Sequence, residues 1–189
     1  MAIRPADPSD SGPIAKLILL AIQDIANQLT GKTTESDVLR QLEAFLNVEG
    51  NRFSRSCILV EEIAGEAVGM ILCYHGSDSV RLYKPILDYL RHNGDLAASI
   101  DEEADEDEYY IDAIAVDPSH QGKGIAKRLI AAAETKAAGL GYDKIALNVE
   151  MNNSGAHALY LKLGYEANKV ITIHGKPYRH MVKPLPSFI

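Results

Sequence analysis

The sequence predicts an α/β (α+β) fold, a single domain laid around one mixed sheet. Strand-like and helical segments alternate along the whole chain, the pattern of helices packed on a sheet. At 189 residues the chain suits one sizeable core better than two. No repeat or long linker interrupts the order, so no internal boundary is marked.

The elements follow in order. Residues 2–5 read as a short first strand, closed by the turn-rich Asp7-Pro8-Ser9-Asp10. Over 12–29, Ile14, Leu17, Ile18, Ala21, Ile22 and Ile25 keep helical spacing up to a break at Thr30-Gly31-Lys32. A second helix follows, capped by Thr34 or Ser36, with Val38, Leu39, Leu42, Phe45 and Leu46 on its apolar face. Residues 56–61 and 67–74 read as two strands joined as a hairpin. The segment 77–108 reads as an insertion holding one helix, through Tyr83, Ile86, Leu87, Tyr89 and Leu90, and then an acidic run. Residues 109–116 form a strand that stops at Asp117-Pro118, since proline cannot donate to a ladder. The next helix starts near Gly122 and Gly124, buries Ile125, Leu129, Ile130 and Ala133, and ends between Gly139 and Gly141. A strand at 144–149, a helix at 154–163 stopped by Gly164, and strands at 165–171 and 177–182 complete the chain.

Charge and composition exclude several classes. Apolar residues make up 47% of the chain, yet no run is long enough to span a bilayer, so no membrane role is expected. Residues 101–108 hold seven acids and no base, which accounts for the formal net charge of −7. No basic surface is left for a phosphate backbone, so no nucleic-acid partner is expected. The run reads as a solvated loop; a sharper reading has it draw in a cationic acceptor. The first residues lack the basic-then-apolar build of a signal peptide, so a cytoplasmic protein is expected. Cys57 and Cys73 fall in apolar strands and read as buried, reduced thiols. His174 and His180 have too few neighbouring ligands for a metal site, and no metal is expected.

The chemistry concentrates in Val116-Asp117-Pro118-Ser119-His120-Gln121-Gly122-Lys123-Gly124-Ile125-Ala126. A strand ends, a glycine-containing loop follows, and a helix begins at once. Free N–H groups and partial positive charge at such a junction suit a diphosphate. Gly122 and Gly124 remove side chains that would hold the ligand off the backbone. The loop is not a Walker motif, because Lys123 is followed by glycine, and a dinucleotide fingerprint fails at Lys127. Lys123 either helps neutralise phosphate or faces water.

What remains, Gln121-x-x-Gly124-x-Ala126, resembles the acetyl-CoA pyrophosphate motif of the GCN5-related N-acetyltransferase (GNAT) family. The preceding Ile114-Ala115-Val116-Asp117-Pro118 is similar to the end of that family's fourth strand. The stretch from Asn153 through Ala156, Leu159 and Tyr160 to Gly164-Tyr165 resembles its second signature, with Tyr165 in place of the usual Phe. The resemblance covers roughly 109–165. It implies one N-acetyltransferase domain over 1–189, interrupted at about 77–108, with a mostly antiparallel sheet of about seven strands and helices on both faces. It also implies transfer of an acetyl group from acetyl-CoA to a primary amine in a ternary complex, the amine being a small molecule, peptide or protein. A homodimer is compatible with it.

The same resemblance implies residue roles. The fourth strand would bulge and splay from the fifth, so that main chain around Ile114 and Val116 pairs with pantetheine. The amides of Gln121, Gly122, Lys123, Gly124, Ile125 and Ala126 would hold the pyrophosphate. Tyr160 stands at the general-acid position, and Asn153 caps its helix or contacts pantetheine. Asp112 is the candidate base. In a strand of alternating faces it points the same way as Ile114 and Val116. Tyr110, Glu108 and His120 are weaker alternatives, and His157 reads as an exposed helix residue. Two other readings stay open: a non-catalytic CoA-binding regulatory module, and an interaction domain without cofactor.

Overall fold

The computed structural model describes residues 2–186. Its strands are β1 (Ala2–Pro5), β2 (Ile58–Ile63), β3 (Glu66–His75), β4 (Tyr109–Val116), β5 (Lys144–Glu150), β6 (Glu166–Ile173) and β7 (Lys176–Pro184). They form one seven-stranded sheet in the order β1-β2-β3-β4-β5-β7-β6. Every neighbouring pair is antiparallel except β4 and β5. A parallel pair needs a crossover, and the helix α5 (Ile125–Gly139) supplies it.

Helices cover both faces. On one side α1 (Ser11–Ile22), α2 (Asp24–Thr30), α3 (Glu35–Leu46) and α4 (Ser79–His92) bury Ile14, Leu29, Leu42 and Ile86 with Val60, Met70 and Leu72 of the sheet. On the other, α5 and α6 (Ser154–Lys162) pack Leu129, Ile130 and Tyr160 onto Ile71, Ile111, Ile145 and Leu147. A layer on each face is why central β3 is buried almost throughout.

Two sequence expectations are corrected here. The helical spacing over 12–29 is two helices: Gln23, at φ 45° and ψ −121°, breaks the chain between α1 and α2. Ala26 and Leu29 rejoin the same buried face as Ile14 and Ile18, so the apolar period runs through a break it cannot register. The acidic run is a solvated loop only in part: Asp101, Glu102, Glu106 and Asp107 are exposed, but the run is tied down. Glu103 and Glu108 are buried, Asp105 pairs with Lys169 at 2.6 Å, Asp107 with Lys144 at 2.7 Å, and Asp101 accepts from the His174 amide at 2.7 Å.

Both cysteines are free thiols held protonated by burial, Cys57 pushed up to about 11 and Cys73 further still. Because the thiolate is the nucleophile, neither is expected to react with a disulfide reagent at neutral pH until the protein is unfolded. Rapid labelling of the folded protein, followed by mass spectrometry, would contradict this.

Candidate active site

Between β3 and β4 the register passes from Leu72↔Ala113 to Cys73↔Ile111, leaving Asp112 as the extra residue of a bulge. The β4–β5 ladder holds only Tyr109↔Ile145, Tyr110↔Ala146 and Ile111↔Leu147. Beyond Ile111 the two strands part, and the β4 main chain from Asp112 onward has no partner on the β5 side. The bulge also changes which way side chains point. Ile114 and Val116 pack toward the α5 face, whereas Asp112 turns to the opposite face, against Arg52 and Tyr74. Strict alternation had put all three on one side; one inserted residue shifts the phase by one.

The cleft between the parted strands is a cavity of about 270 Å³. Its walls come from the α1–α2 break, β4, β5, the start of α6 and the β6–β7 hairpin. It gathers Tyr110, Asp112, Ile114, Asn153 and Tyr160 from the sequence candidates. Val116 and the loop 121–126 lie outside it, as do Glu108 and His120.

Its polar floor contains residues that no sequence motif marked. Arg52 donates to Asp112 through Nε at 2.9 Å and Nη2 at 2.5 Å, and both side chains are only 2% exposed. The Tyr74 hydroxyl adds a third bond to Asp112 at 2.8 Å. With both oxygens engaged, Asp112 serves as the counter-ion of a buried guanidinium. Arg52 stacks its guanidinium carbon 4.9 Å from the Tyr83 ring, and its Nη1 finds no hydrogen-bond partner among the described residues. The weaker contact from Arg52, 3.4 Å, reaches Glu103.

Glu103 also accepts from the Tyr110 hydroxyl at 2.9 Å. Burial pushes its carboxyl up to about 7, with Arg52 opposing and the Asp112 charge adding to the rise. Asn148 donates to both the Glu103 carbonyl and the Tyr110 hydroxyl, so its amide orientation is set. Its oxygen therefore accepts from Nδ1 of buried His180, whose Nε2 lies 3.1 Å from Glu108. Asp105, Glu108 and His180 bring ligand atoms close together, but each already has a protein partner there. Sequence reasoning overlooked Arg52, Glu103 and Asn148. The polar surroundings of Arg52 in Asn51-Arg52-Phe53-Ser54 gave no sign of a buried charge.

At the far end of β4, Gly122 and Gly124 adopt φ 76° and 75°, a conformation that strains any side chain, and open space lies where a Cβ of Gly122 would stand. Among the described residues, no main-chain carbonyl accepts from the amides of residues 122–127. Gln121 folds back to the Val116 carbonyl at 3.3 Å and Lys123 to the Ser119 carbonyl at 3.3 Å. Arg128 donates to the Lys123 carbonyl at 2.9 Å while pairing with buried Glu61, which holds the loop in shape. Six free amides thus gather at the start of α5, as an anion would require.

Asn153 caps α6, accepting from the Ala156 amide at 3.1 Å. Tyr160 is 8% exposed and packs edge-on to Tyr165 at 6.0 Å. Tyr160 lines the cavity, none of the described residues accepts its hydroxyl, and burial raises its pKa. His120 stays outside, beside Asp117 and Ser119. No described helix is long and apolar enough to cross a membrane.

Known proteins share this fold. A solved acetyltransferase structure superposes with a TM-score of 0.84 at 30% identity, covering 98% of this chain and 100% of that one. An N-acetyltransferase from Staphylococcus aureus Mu50 gives 0.80 at 26% identity over 96% of this chain and 100% of its own. The acetyltransferase SG1711 of Sodalis glossinidius is 34% identical over 118 residues, 62% of this chain; the match spans 63% of that relative. The model of the acetyltransferase (GNAT) family matches residues 19–165. The chain therefore belongs to the GNAT family of N-acetyltransferases, which draw on acetyl-CoA as acetyl donor.

Proposed function

We propose that this chain transfers the acetyl group of acetyl-CoA to a primary amine by direct attack in a ternary complex. The observation that carries the reading is the parting of β4 from β5, which leaves a bare β4 edge between six free amides and the Tyr160 cavity. The amides of residues 122–126 with Gln121 would take the diphosphate, and the α5 N-terminus would favour its charge. Main chain at Ile114 and Val116 would pair with the pantetheine arm, whose amides need partners as the strand does. Asn153 would line the same channel while capping α6. The acetyl group then arrives in the cavity at Tyr160, whose phenol is the acid for the departing thiolate. An unperturbed phenol, near ~10, is a weaker acid than a thiol near ~8.5, so positioning has to supply the advantage.

The test is thermal unfolding with and without acetyl-CoA, beside Gly124→Glu. Ligand at about a hundred times its dissociation constant adds about 2.7 kcal/mol, a rise of about 5 °C or more for a domain of this size. A saturable rise in the parent, lost in Gly124→Glu, is expected. Acetyl-CoA consumption against alkylamines, polyamines and free peptide N-termini then tests transfer. No rise in the parent would remove the cofactor from the loop. A rise without turnover of any amine class would favour a binding module.

A further inference from the structure

The cavity wall carries four carboxylates, Asp24, Glu103, Asp112 and Glu150, against two cations, Arg52 and Lys176. Arg52 is matched by Asp112, and Lys176 lies 3.8 Å from Glu150. Glu103 is the acid left over at depth. Its Oε1 is 3.4 Å from a guanidinium already committed elsewhere, and its Oε2 has the Tyr110 hydroxyl at 2.9 Å. It is 7% exposed and that exposure opens on the cavity. Glu103 is thus a half-matched buried carboxylate, set beside Ile22, Ile25, Ile111, Ile114 and Ile173, which a cation entering the cavity would complete.

From this geometry we infer that the acceptor arrives as a primary ammonium, and that Glu103 both binds it and takes its first proton. The inference rests on the acetyl-transfer reading above and names the acceptor class and base within it. The ammonium gives one proton to the Glu103 carboxylate. The freed nitrogen lone pair forms the N–C bond, and the carbonyl π pair moves to oxygen. Collapse breaks the C–S bond, sulfur leaves with the electron pair, and Tyr160 protonates it. The second nitrogen proton restores the Tyr160 phenol, and Glu103 releases its own proton to water.

Arg52 faces Glu103 from the loop after α3, Tyr110 and Asp112 from β4, Tyr74 from β3, Tyr83 from α4 and Tyr178 from β7. Burial holds all four tyrosines neutral. Glu103, raised to about 7, is thus tuned to take a proton under neutral conditions, where a general base is most effective.

The experiment has two arms. In protein with isotope-labelled glutamate carboxyls, the NMR signal missing from Glu103→Gln is that of Glu103. Butylamine is expected to shift this signal saturably below neutral pH. An unmoved signal, or a carboxyl titrating in the ordinary glutamate range, overturns the inference. In the second arm, with the amine best turned over by the parent, Glu103→Gln is expected to lower kcat/KM about 100-fold at mildly alkaline pH. Glu103→Asp should recover part of it, and the acetyl-CoA thermal shift should be unchanged in both. Parent-like turnover by Glu103→Gln overturns the assignment. A parent that fails to bind acetyl-CoA sinks the transfer reading instead, and the butylamine arm still judges Glu103.

Discussion

Tyr160→Phe is expected to lower kcat by about 100-fold or more while leaving the acetyl-CoA thermal shift intact, the signature of a group used after binding. The change removes one oxygen that has no acceptor among the described residues, so packing against Tyr165 should survive it. Burial raises the Tyr160 pKa, which keeps the phenol protonated through the neutral range and moves any alkaline loss of kcat above the ordinary phenol range. Steady-state kinetics with thiol detection of released CoA makes the comparison. A Phe variant as fast as the parent would take the acid away from Tyr160.

The second large effect is on stability. Arg52→Met leaves Asp112 buried at 2% exposure with its main partner gone and removes the guanidinium beside Glu103. Breaking a buried pair from one side costs about 3–5 kcal/mol, which for a chain of this length lowers Tm by about 10 °C. Adding Asp112→Asn should recover part of the loss, because the orphaned charge disappears. A drop of only a degree or two in Arg52→Met would mean the pair contributes little. Glu103 adds a pH signature. Its folded carboxyl, at about 7 against the ordinary glutamate value of 4.5, keeps a proton that the unfolded chain has already lost. Folding thus binds a proton across that window, and this group's contribution to stability falls as pH rises through it. The Tm difference between parent and Glu103→Gln should therefore shift in favour of the variant from pH 4.5 toward 7, measurable by calorimetry.

Parts of the site were legible because local chemistry repeats the ligand's shape. Gly122 and Gly124 at positive φ, the helix start at Ile125 and the Asn153 cap all follow from residues within a few positions of one another. The seven strands and α5 were legible from apolar period and turn residues for the same reason. The Gln23 break escaped notice because both halves keep one buried face. Asp112 was misdirected because a bulge depends on the partner strand, here Leu72 and Cys73, more than on the residues of β4.

By itself, then, the sequence determined the fold class, the family signatures and the glycine loop that opens α5, since each rests on contacts between near neighbours. Only the tertiary structure decided where the acidic run lies and which carboxylate is committed to Arg52. Arg52 and Asp112 stand 60 positions apart, and Arg52 and Glu103 51 apart. The charge state of a carboxylate depends on what surrounds it in space, through burial and the nearest cation. Folding brings Arg52 to Asp112 and leaves Glu103 facing the cavity, so the availability of each acid is a property of the packed core.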